Sequence, residues 1–129
     1  MKKIISTPQA PAAIGPYSQG TQMSGDAKTT WLSGQIPLDP ATGQIVSPGD
    51  VAAQTRRVLQ NISALLTEIG ASPENVVKTT IFLKSMDHFT SVNEVYASFF
   101  TKNPPARSTV EVARLPKDAL VEIECIVVQ

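Results

Sequence analysis

The chain has 129 residues, 42% of them hydrophobic and 17% charged, with 11 basic residues balanced by 11 acidic ones. That length fits a single domain, 1–129, with its own core, and the charge balance leaves no basic stripe for a nucleic-acid partner. One cysteine, Cys125, excludes an internal disulfide, and no apolar run is long enough to span a bilayer.

Met1 to Ser6 lacks the apolar stretch of a signal peptide, so a soluble, cytoplasmic protein without a membrane partner is expected. Lys2 to Ser6 reads as a short strand. Thr7 to Pro16 holds three prolines and a glycine, which suits a fixed loop delivering Tyr17. Ser18 to Met23 and Thr29 to Ser33 read as a hairpin turning at Ser24-Gly25-Asp26, and Gly34 closes its second strand.

Asp50 suits the N-cap of a long helix that ends at Gly70. Val51, Thr55, Val58, Ile62, Leu65, Leu66 and Ile69 fall on one face, whereas Gln54, Arg57, Asn61 and Glu68 lie off it. A one-sided helix of this kind covers a sheet. Val76 to Leu83 reads as a strand. Asp87 is placed to cap a second helix with Phe89, Val92, Tyr96 and Phe99 on its buried stripe, stopped by Pro104 and Pro105.

Two strands complete the chain. Arg107, Thr109 and Glu111 face one way on the first, Val110 and Val112 the other. On the second, Val121, Ile123, Cys125 and Val127 oppose Leu120, Glu122, Glu124, Ile126 and Val128. The order βββ-α-β-α-ββ predicts an α+β layer, one sheet with both helices on one face. Its other face is half apolar, which predicts a homo-oligomer with sites between subunits.

Several residues invite a chemical reading and a plainer one. Arg107, stiffened by two prolines, suits bidentate binding of a carboxylate or a salt bridge to Glu111, Glu122 or Glu124. Glu122, between Val121 and Ile123, suits a general base raised by burial or a glutamate on a solvated face. Tyr17 is a hydrogen-bond donor to an anion or a surface wedge; Ser33-Gly34 allows close ligand approach or is a strand end. The only histidine, His88, has no metal-ligand spacing around it, so no metal site is expected.

The segments Ala12-Ala13-Ile14-Gly15-Pro16-Tyr17-Ser18-Gln19-Gly20, Ser33-Gly34-Gln35-Ile36-Pro37 and Pro105 to Pro116 resemble the RidA (YjgF) family. Val77 to Leu83 and Val92-Asn93-Glu94-Val95-Tyr96 match as well, so the resemblance runs through nearly the whole chain. It implies a chorismate-mutase-like α+β fold and a homotrimer, with sheets forming a central barrel and sites in the clefts between subunits. It also implies hydrolytic deamination of 2-imino acids, 2-iminobutanoate and 2-iminopropanoate, to 2-oxo acids and ammonia, with no cofactor or metal. Such substrates come from pyridoxal-phosphate dehydratases, and their removal is a detoxification.

Residue by residue, the resemblance makes Arg107 the carboxylate-binding arginine and Glu122 the carboxylate that activates water. Tyr17, Ser33, Gly34 and Asn93 then line the pocket with Thr109, which stands where bacterial relatives commonly have cysteine. Some members are described as translation inhibitors or single-strand ribonucleases. A small-carboxylate sensor or chaperone-like protein is a further alternative.

Overall fold

The computed structural model describes residues 1–129. Its strands are β1 (Lys2–Ile5), β2 (Gly20–Met23), β3 (Thr29–Gln35), β4 (Val76–Leu83), β5 (Ala106–Glu111) and β6 (Val121–Val128), and its helices are α1 (Val51–Glu68) and α2 (Phe89–Phe99). The βββ-α-β-α-ββ order read from the sequence is the one observed.

Local chemistry explains where α1 starts and stops. The Asp50 carboxylate accepts the Ala53 amide at 3.0 Å, which satisfies one of the orphan donors of the first turn. At the other end Gly70 adopts φ +68°, and the Gly70 and Ala71 amides donate to Thr67 and Leu66. That closure needs a left-handed residue, which glycine supplies at little cost.

The second helix corrects one expectation. Asp87 does not cap α2; it lies in a 3₁₀ turn, Met86–His88, and its amide donates to Ser85 Oγ at 3.1 Å. The turn runs directly into α2, and its own bonds, His88 to Ser85 and Phe89 to Met86, engage amides that a cap would otherwise satisfy.

The expected β2–β3 hairpin does not form either. β2 pairs with β1 antiparallel, whereas β3 pairs with β6, so the turn between them joins two ladders. Lys28 explains the switch: it exchanges both backbone hydrogen bonds with Gln129, extending the β3–β6 pairing up to the turn. The β1–β2 pair is fastened to the rest by side chains. Thr21 Oγ1 donates to the Val77 carbonyl at 2.8 Å, and the Lys2 ammonium donates to the carbonyls of Glu74, Val76 and Asn103.

The main sheet has the order β3-β6-β4-β5, with β4 and β5 parallel and the other pairs antiparallel. Both helices cover one of its faces. The core between them joins Val58, Ile62 and Leu66 of α1 and Val92 and Tyr96 of α2 to Ile81, Ile123 and Val127 of the sheet. Leu65 and Ile69 are only partly buried. Gln54, read as lying off the buried face, is buried within it. Its amide donates to the Val46 and Ser47 carbonyls and accepts from the Leu120 amide, so burial leaves it no unmet hydrogen bond.

The uncovered face is a different surface. Trp31 pairs with Ile126 there and is 72% exposed, with Phe82 and Val110 alongside. Together these side chains give the open face an apolar character that the helix-covered face keeps inside the core. No helix of the chain is long and apolar enough to cross a membrane.

Candidate functional site

Register decides which side chains share a face, because residues opposite each other on paired strands point the same way. Arg107 lies opposite Thr79 and Thr109 opposite Ile81, so both face the helices. Glu122 lies opposite Phe82, which itself pairs with Val110, and that row faces the open side. The two residues carrying the expected chemistry therefore stand on opposite faces of one sheet.

On the helix side the chain builds a box around Arg107. Its guanidinium carbon lies 5.2 Å from the Tyr17 ring centre, 5.6 Å from Phe89 and 5.1 Å from Tyr96. Aromatic faces attract a cation through their quadrupole, more strongly when water is partly excluded. Nη1 donates to Asn93 Oδ1 at 2.7 Å. Phe89, Asn93 and Tyr96 fall at i, i+4 and i+7, one stripe of α2 laid over the start of β5.

Each wall has its own support. Tyr96 is fully buried, and its hydroxyl shares a 2.6 Å hydrogen bond with Thr79, which fixes the ring under the guanidinium. Tyr17 is delivered by the proline loop. Its amide donates to Gly15 at 2.8 Å, and the next residue, Ser18, donates through its amide to Pro105 and through its hydroxyl to Pro104. Gln19 braces the same loop, accepting the Thr7 amide and donating to the Thr7 and Pro11 carbonyls.

None of the salt bridges considered for Arg107 forms. Glu111 instead accepts the Met86 amide at 3.0 Å, and Glu122 and Glu124 belong to the other face. The one ion pair present is Arg114 with Asp118, far out in solvent. Burial pulls the Arg107 guanidinium below its ordinary value, yet a guanidinium remains cationic at neutral pH. The result is a half-buried cation, boxed by rings and one amide oxygen, without an anionic partner. Thr109 adjoins it, its hydroxyl buried and unpartnered.

The open-face cluster is smaller. The register shifts between Leu32 and Gln35 of β3, placing one extra residue opposite β6 at Ser33-Gly34. Glu122 leans across this bulge, so that a Cβ added at Gly34 would collide with its carboxylate. Glycine here answers to close approach rather than to turn geometry. Asn61 of α1 holds the strand's continuation, donating to the Ile36 and Leu38 carbonyls. Partial burial, then the neighbouring Glu124 charge, raises the Glu122 carboxyl above its ordinary value.

The fold thus gathers Tyr17, Asn93, Arg107 and Thr109 in one place and Ser33, Gly34 and Glu122 in another. In the sequence Phe89 and Tyr96 read as core, and nothing there singles out Met86. The signal available was an asparagine in the apolar stripe of α2, a polar side chain that burial disfavours unless it has a partner. Cys125 takes no part: its thiol is buried in the core and pushed up to about 12, chiefly by that burial.

Comparison with known proteins agrees with this architecture. Residues 7–129 match the family model described as Endoribonuclease L-PSP. A 2-iminobutanoate/2-iminopropanoate deaminase of Escherichia coli K12 is 49% identical over 132 residues, covering 100% of this chain and 99% of its own. The structure of the E. coli YjgF gene product superimposes with TM-score 0.70 at 51% identity, covering 98% of each chain. That of E. coli TdcF with bound serine gives 0.71 at 46% identity over 98% of each chain. With the family motifs present in order and the α+β fold shared, the chain belongs to the RidA (YjgF) family.

Proposed function

We propose that the protein hydrolyses short 2-imino acids, 2-iminobutanoate and 2-iminopropanoate, to the 2-oxo acid and ammonia. The observation that carries this reading is the unpartnered guanidinium of Arg107 in its aromatic box. A cation held there at the cost of desolvation, with no internal anion, suits an anion that arrives from solution. A relative with bound serine, itself a small carboxylate, and a relative named for this deaminase activity support the choice.

In this reading Arg107 holds the substrate carboxylate through paired hydrogen bonds, with Asn93 and Tyr17 fixing its orientation. Glu122 takes a proton from water as the water oxygen attacks C2. The carbon–nitrogen double bond becomes single and its electron pair moves to nitrogen. Glu122 returns its proton to that nitrogen, giving the carbinolamine, and then relays the hydroxyl proton to the nitrogen as the oxygen forms the C2–O double bond, the C2–N bond breaks and ammonia leaves. Such imines already hydrolyse in water, so positioning and general acid–base help, worth about 10²–10⁴-fold, meet the demand.

Glu122 and Arg107 cannot meet within one chain, because the sheet lies between them. The reading therefore includes an assembly in which the Glu122 face of one copy adjoins the Arg107 box of another. A homotrimer is the form the family resemblance implies, and the exposed Trp31 face suits it.

The test is ammonia release from 2-iminobutanoate generated in situ. Wild type accelerates release; Arg107→Ala and Glu122→Gln do not. Oligomers assembled from both inactive variants regain about a quarter of wild-type turnover, since in a closed ring a quarter of the contacts join an intact Arg107 to an intact Glu122. No acceleration by wild type rejects the activity, and no recovery in mixed oligomers rejects the shared site. Endoribonuclease activity, which the family description names, is the second reading. It requires RNA cleavage that disappears in Arg107→Ala; cleavage persisting in that variant belongs to a contaminant.

A further inference from the structure

Resting on the reading of Arg107 as the carboxylate anchor, we infer that Met86 sets the size of the side chain the pocket accepts, and that Glu111 holds it in place. The box opens into a depression of about 300 Å³ lined by Tyr17, Met86, Phe89, Arg107 and Thr109. A carboxylate anchored on the guanidinium leaves its C2 substituent to meet one of the other four.

Three of them are already committed. The Tyr17 and Phe89 rings lie against the guanidinium itself, and the Thr109 hydroxyl is buried. Met86 is different: it is 42% exposed, apolar, and outside the core cluster. A flexible, polarisable thioether at the rim suits contact with a methyl or ethyl group, and blocks a bulkier one while the turn beneath it is fixed.

The turn is fixed from β5. Glu111 shares the face of Arg107 two pleats further on and accepts the Met86 amide at 3.0 Å. The Ser85 hydroxyl accepts the Asp87 amide at 3.1 Å, closing the same turn from its other side. One strand thus carries both the anchor for the carboxylate and the support of the wall that measures its side chain. The substrate class that fits is short and unbranched beyond C3.

The experiment measures equilibrium binding of 2-oxo acids to the assembled protein, so that it does not depend on turnover. The probes are 2-oxopropanoate, 2-oxobutanoate and 4-methyl-2-oxopentanoate. Wild type favours the two short acids. Met86→Ala narrows the gap to 4-methyl-2-oxopentanoate by about tenfold or more, the scale of a methylene mismatch in an apolar pocket. Met86→Trp weakens 2-oxobutanoate while 2-oxopropanoate keeps its affinity. Glu111→Ala loses discrimination without losing affinity for 2-oxopropanoate, an outcome that a general structural defect does not produce.

An unchanged size profile in both Met86 variants, with binding abolished by Arg107→Ala, overturns this inference and leaves the carboxylate pocket standing. Binding that survives Arg107→Ala, or none by wild type, overturns the pocket and the inference together.

Discussion

The two faces of the main sheet handle ionised groups in contrasting ways. On the helix side Arg107 is held by three rings and one amide oxygen, and every wall is itself fixed by a hydrogen bond or by packing. On the open side Glu122 has no hydrogen-bond partner, a like charge two residues away, and a backbone that makes room by lacking a side chain. The first arrangement is complete within one chain. The second resembles half of a site, and it lies on the surface with the exposed tryptophan. A cation boxed in this way is preorganised for an anion, whereas a carboxylate left half solvated retains the basicity to take a proton.

The contrast breaks most directly at Arg107. Arg107→Ala lowers kcat/KM by about 10²–10⁴-fold, the scale of two charge-assisted hydrogen bonds, while sedimentation finds the oligomer unchanged. Loss of assembly in that variant makes the arginine structural. Trp31→Glu has the complementary effect: the oligomer dissociates in light scattering, and activity falls with it although both clusters remain intact within each chain. Retained assembly would separate the open face from the association surface.

Gly34→Ala forces the Glu122 carboxylate aside, and a displacement on that scale costs about 10²-fold in kcat with little change in carboxylate binding. A parallel loss of binding would place Gly34 in the anchor instead. Thr79→Val leaves the buried Tyr96 hydroxyl without its partner, which costs about 1–3 kcal/mol in denaturant unfolding. No change in stability would mean that the hydroxyl finds another partner.

The smallest effect is in pH dependence. Glu122 must be ionised to accept a proton, and its carboxyl is raised above the ordinary 4.5 by burial and then by Glu124. Activity is therefore lost as pH falls through the range in which Glu122 takes up its proton. Glu124→Gln removes the like charge and moves the acid limb of kcat/KM toward lower pH; a limb that stays put leaves burial as the whole cause.

Much of the scaffold was legible in the chain itself. Asp50 and Gly70 bound α1 because capping is local chemistry, readable from residue type and position. The alternation on β6 set the core side of Val121, Ile123, Cys125 and Val127 and the opposite side of Glu122, since side chains in a strand alternate. The failures were equally physical. Gln54 looked solvent-facing because its type is polar, but three backbone groups supplied by Val46, Ser47 and Leu120 satisfy it in the interior. The β2–β3 hairpin was wrong because a turn motif does not specify which strand its arms will pair with.

Residue types, spacing and motif order therefore determined the elements, the α+β class and the residues worth naming. Packing in three dimensions leaves Arg107 free of Glu111, Glu122 and Glu124 within the chain, and makes Phe89 and Tyr96 its walls rather than core alone. It also divides the named residues between two faces of one sheet. The reason is that a strand's periodicity assigns side chains to faces only relative to their own strand. Which face meets the helices, and which partner each cation finds there, follows from non-local pairing and packing, and those have no local signature.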